Sequence, residues 1–150
     1  MKHSKWTWKN VDLPEEIATR LGLEFEAGLL EASLAPVWSR EAQGPATSRE
    51  RDVELLSQLG DIYSRLGLLQ KGLEVDETLV RLRPHEPLYH YNLACSHSRL
   101  GHVESALAAL KEAIRLGYQN FEHLRNDSDL DNLKRDKRFQ ALLRQLEAGR

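Results

Sequence analysis

The feature that most constrains this chain is an internal repeat. The tetrapeptide Ser64-Arg65-Leu66-Gly67 returns unchanged at Ser98-Arg99-Leu100-Gly101, an offset of 34 residues. The offset extends well beyond those four positions: Leu59 maps to Leu93, Gly60 to Ala94, Leu69 to Val103, Gly72 to Ala106, Leu73 to Leu107, Val80 to Ile114, Arg81 to Arg115 and Leu82 to Leu116. A period in this range is the signature of stacked supersecondary units, each of which buries its apolar face only against its neighbours.

The apolar spacing inside each unit is helical. Leu55, Leu56, Leu59, Ile62, Tyr63 and Leu66 fall on one broad face, and Leu69, Leu73 and Val80 on another, so each unit is expected to be a helix pair. Gly67 and Gly101 stand where the first helix must end, because glycine enters the left-handed capping conformation without a Cβ penalty. Pro84 then stops the second helix of the first unit. Gly60/Ala94 and Gly72/Ala106 are small residues on helical faces, a pattern that predicts close, antiparallel packing within each pair.

On these residues the chain resembles the tetratricopeptide repeat family. Leu59-Gly60, Tyr63, Gly67, Gly72 and Pro84 carry the likeness in the first unit, and Leu93-Ala94, Gly101, Ala106 and Ala113 in the second. The second unit departs from the family pattern at His90 and His97, where large aromatics are usual, and at Gly117-Tyr118 in place of an Asp-Pro ending. The tail from Leu116 through Asp127, with Leu130, Leu133 and Phe139, resembles the closing segment of bacterial tetratricopeptide proteins. Asn120 and Ser128 are expected to start two short helices, and Asp136 to cap a last one running to about Glu147. The resemblance implies an all-α solenoid: two repeats over 53–86 and 87–120, then capping helices, within a unit spanning 49–150.

Residues 1–48 do not fit the repeat. Asp12-Leu13-Pro14-Glu15 is a helix start with capping-box spacing and proline in the first turn, and the pattern through Ile17, Leu21, Leu29, Leu30 and Leu34 predicts a helix of about 20 residues. Gly44-Pro45 breaks the chain, a linker is expected between about Arg40 and Ser48, and Thr47-Ser48-Arg49-Glu50 offers the next start. Trp6, Trp8, Phe25 and Trp38 are expected to cover the open face of the first repeat, with Trp6, Trp8 and Trp38 as a second candidate surface for a partner.

Composition narrows the function classes. The 150 residues hold 27 leucines against 9 valines and isoleucines together, which favours helices and argues against an all-β fold. A hydrophobic share of 41% with 29% charged residues describes a soluble globular protein, and no apolar run approaches the ~20 residues of a spanning helix. The single cysteine, Cys95, rules out an intramolecular disulfide and fits a reducing compartment; no apolar signal stretch follows the early lysines, so a cytoplasmic location is expected. A net charge of -2 provides no field for nucleic acid or anionic membranes.

No constellation of catalytic or metal-binding residues stands out. His85-Glu86-Pro87-Leu88-Tyr89-His90 has one residue too many to place both histidines on one helix face, and His90 and His97 occupy core-facing repeat positions. Asp127, Asp129 and Asp131 alternate like the opening of a calcium loop, but Asn132 and Arg138 stand where its glycine and closing glutamate belong, and acids at helix starts suit the dipole. Lys134-Arg135-Asp136-Lys137-Arg138 reads as a solvated face. No phosphate loop or nucleophile elbow is present, so neither catalysis nor a cofactor is expected.

What remains is the surface created by the repeats. Glu54, Ser57, Gln58, Asp61, Ser64 and Arg65 lie on the more polar face of the first leading helix, and Leu88, Tyr91, Asn92, Cys95, Ser98 and Arg99 on the matching face of the second. In the resembled family the first helices line a concave groove, which implies that Ser57, Gln58, Asp61, Arg65, Leu88, Tyr91, Asn92, Cys95 and Arg99 line a groove for a peptide or partner protein. The family's carboxylate clamp for chaperone tails is disfavoured, since Ser57 and Asp61 replace its lysine and asparagine. Asp61 stands four residues before Arg65 and partly neutralises it, whereas Arg99 has Cys95 there. Arg99 is therefore expected to be the more available donor for an acidic or C-terminal carboxylate group. The sequence thus reads as a non-catalytic protein-binding module. The alternative is a structural or self-associating subunit, homo- or hetero-oligomeric, docking through its Trp-bearing N-terminal segment.

Overall fold

The computed structural model describes residues 14–38 and 46–148. The Trp6 and Trp8 surface and the Gly44-Pro45 break lie outside them. Among the described residues every regular element is helical: α1 (Glu15–Trp38), α2 (Ala46–Leu66), α3 (Leu69–Leu82), α4 (Pro87–Arg99), α5 (Val103–Arg115), α6 (Phe121–Asn126), a 3₁₀ turn (Ser128–Leu130), α7 (Asp131–Lys134) and α8 (Lys137–Ala148). Each of α1 to α5 packs against the next, so α2–α3 and α4–α5 form stacked antiparallel pairs. Among the described residues this is an all-α stack of repeated helix pairs.

Glycine ends the leading helices by the expected device. Gly67 and Gly101 have φ of +70° and +78°. The Leu68 N–H donates to Tyr63 O and the Gly67 N–H to Ser64 O, while His102 donates to His97 O and Gly101 to Ser98 O. These are paired Schellman bonds that satisfy carbonyls left free at a helix end. Gly117 repeats the motif at φ +108°, with Tyr118 donating to Ala113 O, so the departure at Gly117-Tyr118 replaces a proline stop with a third glycine cap. At the tail, Asn120 Oδ1 accepts from the His123 N–H and Asp136 Oδ1 from the Arg138 N–H, both as expected of helix caps. Ser128 opens only a 3₁₀ turn, and Asp127 rather than Ser128 caps it, accepting from the Asp129 N–H.

The small positions differ from expectation in one respect. A Cβ on Gly60 would meet Val75 Cγ1 at 3.3 Å, which is the close approach the pattern predicts between α2 and α3. A Cβ on Gly72 would meet nothing within 4 Å, because that face of α3 opens onto a cavity rather than a neighbouring helix.

Two apolar cores result. The first gathers Leu56, Leu59, Ile62, Tyr63, Val75 and Leu79 with Ala27, Leu34 and Val37 of α1; the second gathers Ala94, Ala106, Leu107, Leu110 and Ala113 with Leu124, Leu130, Leu133 and Phe139 of the tail. The Tyr63 hydroxyl and Lys71 Nζ both donate to Glu31 of α1, tying it to the first pair; the Tyr63 bond, foremost, holds the Glu31 carboxyl below the usual range. Helix α1 spans 24 residues and reaches Trp38, and α2 begins at Ala46, inside the stretch expected to be linker. Of the expected stripe on α1, Leu34 is buried and Leu30 packs on the core, but Ile17, Leu21 and Leu29 are exposed. Phe25, expected to cover the first repeat, is 69% exposed on that same outer side, and Trp38 is 37% exposed. The helix carries two apolar faces, of which the first repeat covers one.

Candidate functional site

Stacking the pairs leaves a concave cavity of about 420 Å³ between α2, α3, α4 and the tail. Six of the nine residues expected in the groove line it: Ser57 and Asp61 from α2, and Tyr91, Asn92, Cys95 and Arg99 from α4. The other three fall elsewhere. Gln58 and Leu88 are exposed outside it, and Arg65 lines a second, more open depression against α1, beside Glu15, Glu16 and Leu23. A helix face spans more than one direction, so its neighbours divide it: α4 and the tail border one side of α2, and α1 the other.

The floor is more enclosed than a solvated groove would be. Tyr91 and Cys95 are buried, because the tail closes over α4 and Asp127 meets both side chains. The Tyr91 hydroxyl donates to Asp127 Oδ2 at 2.7 Å, and the Cys95 thiol donates to the same oxygen at 3.6 Å. Tyr91 also stacks on Tyr118, with ring centroids 4.3 Å apart. Burial foremost, then the hydrogen bond to Asp127 for Tyr91 and the Asp127 charge for Cys95, pushes the hydroxyl and the thiol well up, so both stay protonated donors at neutral pH. Burial also raises Asp127, yet the bonds from Tyr91, the Asp129 N–H and Cys95, together with His123, hold its carboxyl below the usual range. His123 Nε2 lies 3.5 Å from Asp127 Oδ2.

The expected contrast between the two matched arginines is inverted. Arg99 Nε lies 3.6 Å from Asp129 Oδ1, and its Nη1 donates to Ser64 Oγ at 3.0 Å, so the arginine expected to be available is engaged by the tail and by α2. Arg65 forms no ion pair with Asp61 or any other described residue. Helical spacing brought Asp61 within reach of Arg65, but the partner that decides Arg99 comes from 30 positions further along the chain.

Several lining residues were not anticipated. Asp76 of α3 enters the cavity and accepts a hydrogen bond from Ser96 Oγ; burial pushes its carboxyl up to about 6, against the opposing effect of that bond. The repeat itself carried a signal, since the position 34 residues after Asp76 is Leu110, which is fully buried. A carboxylate in a core leucine's register is out of place unless something polar meets it. Asp127, Asp129 and His123 also line the cavity; the acids were visible in the sequence as a calcium-like spacing, but their proximity to α4 was not. His90 and His97, expected to face the core, are only half-buried and belong to neither core; His90 Nε2 lies 2.8 Å from Pro84 O and His97 Nδ1 lies 3.4 Å from His102 Nδ1.

A concave surface on stacked helix pairs defines a helical-repeat fold. Residues 87–120 match the tetratricopeptide repeat family, so the chain contains a repeat of a family that is generally non-catalytic and usually mediates protein–protein interaction. Over 102 residues, 66% of its length, the chain is 34% identical to a chloroplastic protein of Arabidopsis thaliana, and spans 29% of that protein. No solved structure matches it significantly. Among the described residues no helix is long and apolar enough to cross a membrane.

Proposed function

We propose that the chain is a non-catalytic, scaffold-like module whose concave groove receives a peptide or a segment of a partner protein. The supporting observation is the cavity of about 420 Å³, placed between the leading helices where the family implies a ligand. Its test uses Gly72, which lines the cavity and has open space where a Cβ would stand. Gly72→Gln puts a side chain into the groove without a clash at Cβ, so it should abolish capture of the host partner while leaving the melting temperature close to that of the parent. Capture that survives this change removes the groove from the reading.

A second reading is favoured by α1: Ile17, Leu21, Phe25 and Leu29, each four residues after the last, are all exposed and make an apolar strip on its outer side. That strip, with the partly exposed Trp38 at the end of the same helix, supports a structural or self-associating subunit docked through α1. Sedimentation separates the readings: a Phe25→Ser, Leu29→Ser protein that drops to monomer mass supports the second, and a parent that already sediments as monomer argues against self-association. Neither reading involves nucleic acid.

A bacterial-type capping role for α6 to α8 is part of the same proposal, supported by Leu124, Leu130, Leu133 and Phe139 closing the second core. We place the protein in the cytoplasm on the strength of its free, buried Cys95. The plant relative's name puts that protein in the chloroplast, and imaging a fluorescent fusion in the native host distinguishes the two compartments.

A further inference from the structure

The groove has a charge, and that charge gives its ligand a sign. Resting on the groove reading above, we infer that the groove takes a lysine- or arginine-bearing segment of a partner protein, with the cation seated among Asp61, Asp76 and Asp127.

The lining carries four aspartates, Asp61, Asp76, Asp127 and Asp129, against one arginine. That arginine is already committed, through Asp129 and Ser64. Three carboxylates therefore lack a permanent cation among the described residues: Asp61 and Asp76 have no ion pair, and Asp127 has only His123, which is charged only when protonated. Burial makes the charge of Asp76 costly, and an incoming cation relieves that cost while Asp61 and Asp127 on the same lining add their attraction for it. An anionic segment would be repelled by the same carboxylates, and Arg99 could not answer it without leaving Asp129.

The shape suits a long cationic side chain as well as its charge. Leu68 and Leu69 at the α2–α3 turn and the Tyr91 ring border the carboxylates. Methylene stems of lysine and arginine pack on such apolar borders while their heads reach polar groups. Asp76 is the deepest of the acids, and its one hydrogen-bond donor, Ser96, is neutral.

The pH dependence follows from every group facing the cation. The titratable and charged side chains around the seat are Asp61, Asp76, Asp127, Asp129, His123 and Arg99, with Tyr91 and Cys95 held neutral by burial. Asp76, with its carboxyl raised to about 6, becomes less favourable to a cation as pH falls. Binding should therefore strengthen between about pH 5 and pH 7.5, with release of protons by Asp76 as the cation enters.

The test compares three pools of randomised short peptides, fixed to carry lysine and arginine, glutamine, or glutamate, for retention on the full chain at low salt. The cationic pool should be retained most, and retention should weaken at higher salt. Asp61→Asn with Asp76→Asn, which preserves size and an acceptor for Ser96, should weaken that retention on the order of tenfold and flatten its rise with pH. A cooperative melting transition no lower than the parent's establishes that the variant is folded. If the glutamate or glutamine pool is retained better, and Gly72→Gln abolishes it, the charge inference falls and the groove reading stands. If no pool is retained, or if Gly72→Gln leaves retention of the best pool unchanged, both fall. Cationic retention indifferent to the two aspartates also overturns the inference.

Discussion

Removing one hydroxyl at position 98 should make the protein more stable. Ser98 is fully buried in α4 and its Oγ has no hydrogen-bond partner, although its backbone oxygen is well served by Asn132 Nδ2 at 2.6 Å and the Gly101 N–H at 2.9 Å. A buried hydroxyl without a partner costs about 1–3 kcal/mol relative to its hydrated state. Ser98→Ala removes that cost and gains a few tenths of a kcal/mol of helix propensity, at roughly 0.5 to 1 kcal/mol of lost contacts for the deleted atom. The net is a stabilisation of about 1 kcal/mol, or an increase of ~2–4 °C in melting temperature for a chain of this size. The repeat supplies an internal control: Ser64 is exposed and accepts from Arg99, so Ser64→Ala should change stability by less than about 0.5 kcal/mol. Thermal unfolding of the three proteins by circular dichroism reads the outcome. A Ser98→Ala protein destabilised by more than about 0.5 kcal/mol would refute the reasoning, since the hydroxyl must then satisfy a group or a trapped water.

Three further outcomes are expected. Gly101→Ala forces a side chain into φ +78° and should cost about 1–2 kcal/mol in urea unfolding, although nothing lies within 4 Å of its Cβ; an unchanged midpoint would disprove the left-handed cap. Leu34→Ala empties a fully buried site between α1 and the first pair and should cost about 2–4 kcal/mol, whereas Phe25→Ala on the exposed face should cost little; equal losses would contradict the packing of α1. The Asp76 carboxyl is raised from its ordinary 3.8 to about 6, so the folded state holds a proton that the unfolded state has lost, and the group's contribution to stability declines as pH rises from about 4 to 6. Asp76→Asn should therefore be the more stable protein at pH 7, and its advantage should vanish below pH 4; an advantage that does not vary with pH would show that Asp76 titrates normally.

Local chemistry determined the class of this molecule. A 34-residue offset, helical spacing of leucines, glycine at each helix end and asparagine or aspartate at helix starts act within a few residues, and the caps at Gly67, Gly101, Asn120 and Asp136 sit where those residues stand. The tertiary structure decided the character of the groove, because a helix face acquires meaning from what covers it. Ser64-Arg65-Leu66-Gly67 and Ser98-Arg99-Leu100-Gly101 share a sequence and the same backbone turn, yet Ser64 is exposed and bonded while Ser98 is buried and unpaired. Arg65 faces α1, while Arg99 is held by Asp129 of the tail. Periodicity reports which residues share a face; only the packing of distant segments sets the partners, the dielectric and so the charge that face presents. Asp76, ordinary in its own helix, becomes a raised carboxyl because α3 and α4 bury it; the 34-residue register with Leu110 signals that burial, but only the packing supplies the polar partner.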